Sequence, residues 1–232
     1  MRKLLAHFVA QDEKQDELIL NLQELAKDWS EGIGGDRVQA TLMRAHVEDP
    51  MRLTGAGTPT RAFDASIEIK LAAAKVDAEL EAAVCGLADE FEDLIQRDLC
   101  AVQIGTHKPF VACEPTPIRF QYCMRRRHDF THAAYLARYE GIHSRFGLAT
   151  KGIEGYYQFQ IDLEVTERAC ASAGVGVASF DSVSELHIGS MAAFLAAAAE
   201  NAKIGAGQDE DAFVDRPSSF MWISDEIFRL GY

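Results

Sequence analysis

The positions of hydrophobic and polar residues along the chain predict a regular order of strands and helices. Short apolar runs or period-two alternation predict strands, and apolar residues three and four positions apart predict amphipathic helices. In the first half these patterns predict four strands, at 4–9, 38–47, 63–69 and 101–104. Two helices are predicted from the apolar stripes that begin at Leu18 and Leu80. The predicted order is β-α-β-β-α-β.

The second half repeats this order after three prolines between positions 109 and 117. Strands are predicted at 118–124, 154–163, 177–188 and 220–223. Helices are predicted at 130–146 and 191–200. Both halves are therefore expected to fold on the same plan.

The third strands of the two halves also share sequence. Phe63-Asp64 followed by Glu68 recurs 117 positions later as Phe180-Asp181 followed by Glu185. We interpret the chain as two domains, residues 1–113 and 114–232, that arose by internal duplication.

The β-α-β-β-α-β unit is ferredoxin-like, with both helices on one face of an antiparallel sheet. The other sheet face also carries apolar residues and needs a cover. Two such sheets placed face to face within one chain would cover each other and enclose a cavity. The predicted fold class is therefore α+β, with tandem ferredoxin-like units forming an intrachain dimeric α/β barrel.

The second half, roughly from residue 118 to 227, resembles the EthD family of dimeric α/β-barrel proteins. The resemblance is carried by the segments 139–143, 155–156, 180–186 and 209–215, which read YEGIH, GY, FDSVSEL and DEDAFVD. The family typically has a small residue and proline after the helix histidine, whereas Ser144-Arg145 follows His143 here. The resemblance implies a protein of catabolism or tailoring of hydrophobic small molecules, among relatives that include cofactor-free oxygenases, isomerases, lyases and dehydratases.

His143 is the first candidate for a catalytic residue, because an imidazole titrates near neutral pH and can act as a general acid or base. Tyr139 lies one helical turn before it on the same helix face and is expected to position a ligand. The alternative is that His143 only packs the helix against its sheet.

Glu185 and His187 are two further catalytic candidates. They project from the same face of the third strand because side chains alternate along a strand. We expect this face to line the barrel interior, where Glu68 would add a second carboxylate. A buried carboxylate and imidazole shift each other's pKa towards values useful for proton transfer. The alternative is a solvated sheet edge.

The second strand of the second half supplies the remaining ligand-binding candidates. One of its faces carries polar groups, from Tyr156, Gln158 and Gln160. We expect this polar set to join Glu185 and His187 in the cavity, because the opposite face of the strand is apolar.

Charge and cysteine content restrict the partners and the compartment. The chain has 23 Lys and Arg against 36 Asp and Glu, a formal charge of −13, which repels nucleic acid and anionic membranes. Its five cysteines include no C-x-x-C pair, which favours a reducing cytoplasm. No signal peptide or membrane span is expected.

No metal or cofactor is expected from the motifs. The spacing His128-x-x-x-His132 lacks the H-E-x-x-H pattern, and no glycine-rich turn precedes a helix as in dinucleotide sites. Two functions stay open. One is a cofactor-independent lyase, isomerase or oxygenase that moves a proton on a small hydrophobic, carbonyl-bearing or aromatic molecule. The other is a non-catalytic protein that binds such a molecule in the same cavity. Homodimerisation is compatible with either function.

Overall fold

A computed structural model of the protein describes residues 1–33, 38–46, 63–72, 77–176 and 180–231. Within these residues, antiparallel strands form a closed barrel in the order β1-β3-β2-β8-β5-β7-β6-β4. The strands are β1 (Arg2–Phe8), β2 (Val38–Ala45), β3 (Ala65–Leu71), β4 (Ala101–Val111), β5 (Ile118–Met124), β6 (Gly155–Ile161), β7 (Ser182–Ile188) and β8 (Phe220–Leu230).

The helices lie outside the barrel and cover its outer face. Their bounds are α1 (Gln15–Gly32), α2 (Asp77–Ala83), α3 (Leu87–Glu90), α4 (His132–Arg138), α5 (Ser144–Ala149), α6 (Leu163–Ala173), α7 (Met191–Ala196), α8 (Ala198–Asn201) and α9 (Ala206–Glu210). A π-helical turn at Tyr139–His143 joins α4 to α5. Helix α1 shows why this layer forms, since the apolar stripe from Leu18 to Trp29 is the face that it buries.

Each half contributes four strands in the ferredoxin-like order. The first half gives β4-β1-β3-β2 and the second gives β8-β5-β7-β6, and the halves join through the pairs β2–β8 and β4–β6. The predicted α+β barrel within one chain is therefore confirmed. Gly105 allows the close approach at the second junction, because a Cβ there would lie 2.1 Å from the Gln160 carbonyl oxygen.

The repeated Phe-Asp pair has the same structural role in both halves. The Asp64 carboxylate accepts a hydrogen bond from the Ala10 amide at 2.8 Å, and the Asp181 carboxylate accepts one from the Arg126 amide at 2.8 Å. Each aspartate thus ties the start of the third strand to the end of the first. The predicted domain boundary at 113/114 falls between β4 and β5, and the duplication itself stays a prediction.

Several of the predicted elements differ from those in the structure. Helix α6 lies between β6 and β7, where no helix was predicted, and the Thr166 hydroxyl accepts a hydrogen bond from the Ile104 amide of β4 at 3.0 Å. The predicted helix from Leu80 is interrupted at Gly86, whose φ of 73° favours glycine. Strands β4 and β8 extend well past their predicted ends. Val47 and residues 177–179 of the predicted strands lie outside the described residues.

Among the described helices, none combines the length and the apolar character that crossing a membrane requires.

Candidate functional site

The inner face of the barrel carries a cluster of charged side chains. Period-two alternation directs them inward from four strands, and strand pairing sets Lys3 beside Lys70 and Arg119 beside His187. The members that are at least nine-tenths buried are Lys3, Glu68, Lys70, Arg119, Glu185 and His187. Polar and charged groups at this depth need hydrogen bonds or opposite charges as partners. The described residues supply such partners for every member of the cluster except the imidazole of His187.

Lys3 lies at the centre of this cluster. Its ammonium group contacts the carboxylates of both Glu68 and Glu185. Glu68 also contacts Lys70 Nζ at 2.7 Å and Arg119 Nη1 at 2.8 Å. One carboxylate is thus shared by three cations, while Arg119 reaches a second carboxylate on Glu226 at 2.9 Å.

Glu185 has a different set of neighbours. His107 Nε2 donates to its Oε2 at 3.0 Å and Gln121 Nε2 donates to its Oε1 at 3.0 Å. Burial alone would raise the pKa of Glu185, but the Lys3 ammonium and the hydrogen bond from His107 hold it well below its usual range. Burial acts on Glu68 in the same way and is outweighed there by Arg119, Lys3 and Lys70. Both carboxylates are therefore ionised.

Among the described residues, His187 is the member of the cluster with neither an ion pair nor a hydrogen bond. Neither ring nitrogen has a hydrogen-bond partner within the described ranges, although the residue is only 4% exposed. Burial, followed by the Arg119 and Lys70 cations, lowers its pKa from 6.5 to about 2. The imidazole is therefore neutral, and a nitrogen lone pair is open to a proton.

An aromatic stack borders His187. The rings of His107 and Tyr157 are stacked with centroids 4.9 Å apart, and the Tyr157 ring lies 4.7 Å from that of His187. Lys70 Nζ lies 5.9 Å from the centroid of the same tyrosine ring. Tyr157 therefore presents a planar surface between the imidazole and the ammonium group.

The linker 112–117, which joins β4 to β5, covers this end of the barrel. Strands β6 and β7 separate β4 from β5 in the barrel order, so the linker passes their ends. The Cys113 amide donates to the Tyr157 hydroxyl at 3.0 Å, and Cys113 Sγ would lie 2.5 Å from a Cβ added to Gly155. We call this end, where Gly155 pairs with His187, the His187 end.

The opposite end of the barrel is closed by aromatic packing. The His7 imidazole is stacked on the Phe63 ring at 4.0 Å, and Phe63 also contacts the rings of Phe220 and Trp222. His7 Nδ1 is hydrogen-bonded to the Ser66 hydroxyl at 2.5 Å, and burial is the main cause that lowers its pKa to about 3. This end offers packed rings, so the His187 end is the candidate functional site.

The structure places the second-strand candidates on the other side of the sheet. Tyr156 pairs with Leu186 and Gln158 with Ser184, whereas Tyr157 pairs with Glu185. The expectation that Tyr156, Gln158 and Gln160 line the interior was therefore wrong. Gln158 Nε2 donates to the Tyr139 carbonyl at 3.1 Å, and Gln160 Nε2 donates to Glu140 at 3.1 Å.

His143 and Tyr139 also lie on this outer side, between the sheet and the helices. His143 Nδ1 is 3.0 Å from Asp209 Oδ2, and its ring packs against Tyr139, Phe146 and Phe213. Burial outweighs the aspartate and lowers the pKa of His143. The structure therefore brings together Glu68, Glu185 and His187, and it does not bring His143 and Tyr139 to them.

Five residues of the site were not among the sequence candidates: Lys3, Lys70, His107, Arg119 and Tyr157. Because side chains alternate along a strand, Lys3 and Arg119 would have been predicted as site residues if the inner faces of β1 and β5 had been known. His107 was missed because β4 was predicted to end before it. Tyr157 was missed because the inner face of β6 is the apolar one, with Phe159 under the Lys3 ammonium at 4.9 Å.

Two surface cavities lie apart from the interior cluster. One of about 410 Å³ includes His132 and Gln160, and the other of about 420 Å³ includes Arg127 and Asp215. Neither contains a member of the inner cluster. Among the described residues no group of three or more histidine, cysteine, aspartate or glutamate side chains could hold a metal ion.

Comparison with known proteins finds neither a matching family model nor a matching curated sequence. Solved structures do match. An anthrone oxidase-like protein superposes with a TM-score of 0.65 at 11% identity, over 99% of this chain and 92% of that one. Monooxygenase candidates from Fusobacterium nucleatum and Lactobacillus acidophilus give TM-scores of 0.56 and 0.51 at 7% and 8% identity, over 99% of this chain and 94% and 95% of theirs. This likeness shows the fold alone, that of the dimeric α/β barrels.

Proposed function

We propose that the protein is a cofactor-independent enzyme that moves a proton on a small carbonyl-bearing or aromatic molecule held at the His187 end. The observation that carries the proposal is the neutral, buried His187 imidazole, which lacks a hydrogen-bond partner in the described part of the chain. A neutral imidazole has a lone pair that can accept a proton, and in this proposal the bound molecule raises its low proton affinity. The name of the anthrone oxidase-like neighbour suggests the class of compound to test.

The proposed step breaks a C–H bond that is next to a carbonyl group, as in indan-2-one, or conjugated with it through an aromatic ring, as in anthrone. The proton moves to a nitrogen of His187, and the electron pair of the bond delocalises onto the carbonyl oxygen to give an enolate. Lys70 and Arg119, the cations whose charge acts most strongly on His187, stabilise that oxygen. Return of the proton from the imidazolium restores the enzyme. Isomerases, lyases and cofactor-free oxygenases can share this first step.

Glu185 and Glu68 are positioning residues in this proposal. Glu185 holds His107, which is stacked on Tyr157, the ring that borders His187. Glu68 holds Lys70. The carboxylates thus fix the neighbours of the reacting groups and are not themselves the base.

The alternative is a protein that binds the molecule and does not convert it. The burial of His187 favours this alternative, because its imidazole is only 4% exposed and the linker is tied to the neighbouring Tyr157. Binding without turnover requires the same residues, so only a catalytic measurement separates the two functions.

The test is deuterium exchange into anthrone and the smaller indan-2-one, followed by NMR in D₂O without oxygen. The protein should accelerate exchange at the methylene next to the ring, and His187→Gln should reduce the acceleration by about 10²- to 10⁴-fold, the usual range for a general base. His143→Gln is the matched control and should keep the acceleration. Equal rates for wild type and His187→Gln would contradict the proposal.

A further inference from the structure

The charges around Glu68 are unbalanced in favour of cations. Lys3, Lys70 and Arg119 all contact this carboxylate, and Lys3 and Arg119 each have a second carboxylate, on Glu185 and Glu226. Arg229 also contacts Glu226, so in the described part of the chain four cations share these three carboxylates. Lys70 has none other than Glu68 within the described ranges. Lys70 is therefore the cation of the cluster whose charge is least compensated.

Lys70 also has the position of a ligand-binding group. It is 6% exposed, whereas Lys3 and Arg119 have no exposed surface. Its ammonium group lies beside the Tyr157 ring, on which His107 is stacked and which also borders the His187 imidazole. That imidazole has no hydrogen-bond partner in the described part of the chain. A cation, a planar ring and an open imidazole thus adjoin one another under the linker 112–117.

We propose that the molecule bound at the His187 end is a conjugated anion, an aromatic or enone compound whose carboxylate or phenolate oxygen pairs with Lys70. This inference rests on the same site as the proposed function and names the class of its ligand. In this proposal the flat part of the molecule lies against the face of the Tyr157 ring that His107 does not cover, and its anionic oxygen pairs with Lys70 as a second carboxylate would. An uncharged analogue loses the ion pair and leaves the excess cation buried.

The charge of the bound anion also explains how the weakly basic His187 imidazole accepts a proton from the substrate. The Lys70 and Arg119 cations contribute to the low proton affinity of His187. A ligand anion beside Lys70 opposes that charge and favours the protonated imidazole. The negative charge of the substrate therefore raises the proton affinity of the base that acts on it.

The experiment compares binding of 2-naphthoate with that of its neutral isostere, 2-naphthamide, by isothermal titration calorimetry. The wild type should bind the carboxylate at least about tenfold more tightly, the preference expected for one partly buried ion pair. Lys70→Met should abolish this preference, and Lys70→Arg should retain it. Lys27→Met, at a partly exposed position on α1 far from the inner cluster in sequence and paired with Glu24, is the matched control and should behave as the wild type.

The outcomes separate this inference from the proposed function. Preferential binding of 2-naphthoate without any deuterium exchange supports the ligand class and rejects the enzyme. Exchange combined with equal affinity for the two naphthalenes, or with a preference that survives in Lys70→Met, overturns the ligand class. Absence of binding by both compounds also overturns it. Urea unfolding of each variant shows whether a lost preference reflects a folded protein.

Discussion

Glu68 and Glu185 contact the same ammonium group, that of Lys3. They occupy equivalent positions on the third strands of the two halves, so the lysine bridges the two sheets across the barrel interior. Two carboxylates facing each other without a cation would repel strongly at this depth. The cluster therefore couples the stability of the barrel to the electrostatics of the site.

Removing this bridge should destabilise the protein severely. Lys3→Met leaves two buried carboxylates without their shared cation, and loss of one partner of a buried ion pair costs about 3–5 kcal/mol. Urea unfolding monitored by circular dichroism measures the loss. Lys14→Met, which removes an exposed pair with Glu17, should cost less than about 1 kcal/mol. Adding Glu185→Gln to Lys3→Met should recover part of the loss, and an additive double variant would contradict the bridge.

Acid should destabilise the fold well above the pH at which carboxylates protonate. Burial lowers the pKa of His7, His107 and His187 from 6.5 to about 3, 4 and 2. Between pH 6.5 and about 4 the unfolded chain therefore binds protons at these positions that the folded chain does not, and the free energy of unfolding falls as pH falls. Below this range Glu68 and Glu185, whose pKa values are held low, add to the loss.

The measurement for this prediction is the free energy of unfolding in urea at several pH values between about 7 and 5. In His187→Gln the slope against pH should fall by about one proton relative to wild type. A pH-independent free energy over this range would contradict the prediction, because it would show that the three imidazoles bind protons in the folded protein as they do in the unfolded chain.

His143 is expected to contribute to stability through packing. His143→Ala removes a ring that contacts three aromatic side chains and leaves the Asp209 carboxylate with Arg138. A loss of about 2–4 kcal/mol is expected for such a buried ring, with deuterium exchange and 2-naphthoate binding unchanged in the folded variant. Thermal unfolding and the exchange assay check the two parts. Loss of exchange in a fully folded His143→Ala variant would return the catalytic role to this residue.

The contact between the linker and β6 can be tested at Gly155. In Gly155→Ala the new Cβ would lie 2.5 Å from Cys113 Sγ and 3.1 Å from the Tyr157 ring. We expect a destabilisation of about 1–3 kcal/mol, as for other overpacked sites. Cys113→Ala in the same chain should relieve part of it, because the nearest clashing atom is gone.

The control for this prediction is Gly141→Ala, in the π-helical turn, where a Cβ meets nothing within 4 Å. This change should leave stability unchanged or raise it by up to about 1 kcal/mol, since alanine loses less backbone entropy than glycine. Equal stability of Gly155→Ala and wild type would show that the linker does not rest on β6 in solution.

The barrel could be predicted from the sequence because the hydrophobic pattern of neighbouring residues predicts most of its strands and helices in their order. The stripe on α1 and the alternation on β3 and β7 need only neighbouring residues to be recognised. Helix α6 could not be predicted in this way, since its buried face consists largely of small residues such as Ala169, Cys170 and Ala173. Small side chains give a weak apolar signal even where they pack closely against a strand.

The candidate site was only partly predictable for a different reason. The alternation of side chains along a strand correctly predicts which residues share a face, as for Glu185 and His187. It does not predict which of the two faces points into the barrel. On β7 the polar group is the inner one, and on β6 it is the outer one, where Gln158 finds the Tyr139 carbonyl. That choice depends on partners far away in the sequence, such as Lys3 beneath the β6 aromatic residues.

The junction between β2 and β8 also determines when the barrel can assemble. His46 and Asp225, on its two sides, are 179 positions apart and lie 2.6 Å from each other. Until β8 arrives, the edge of β2 stays unpaired and the inner charges of the first half stay in water. Contacts between such distant residues form slowly, because the entropy of closing the chain is lost before the contact is gained. Refolding should therefore be slow. Two partly folded chains whose β2 edges are still unpaired can also form intermolecular strand pairs.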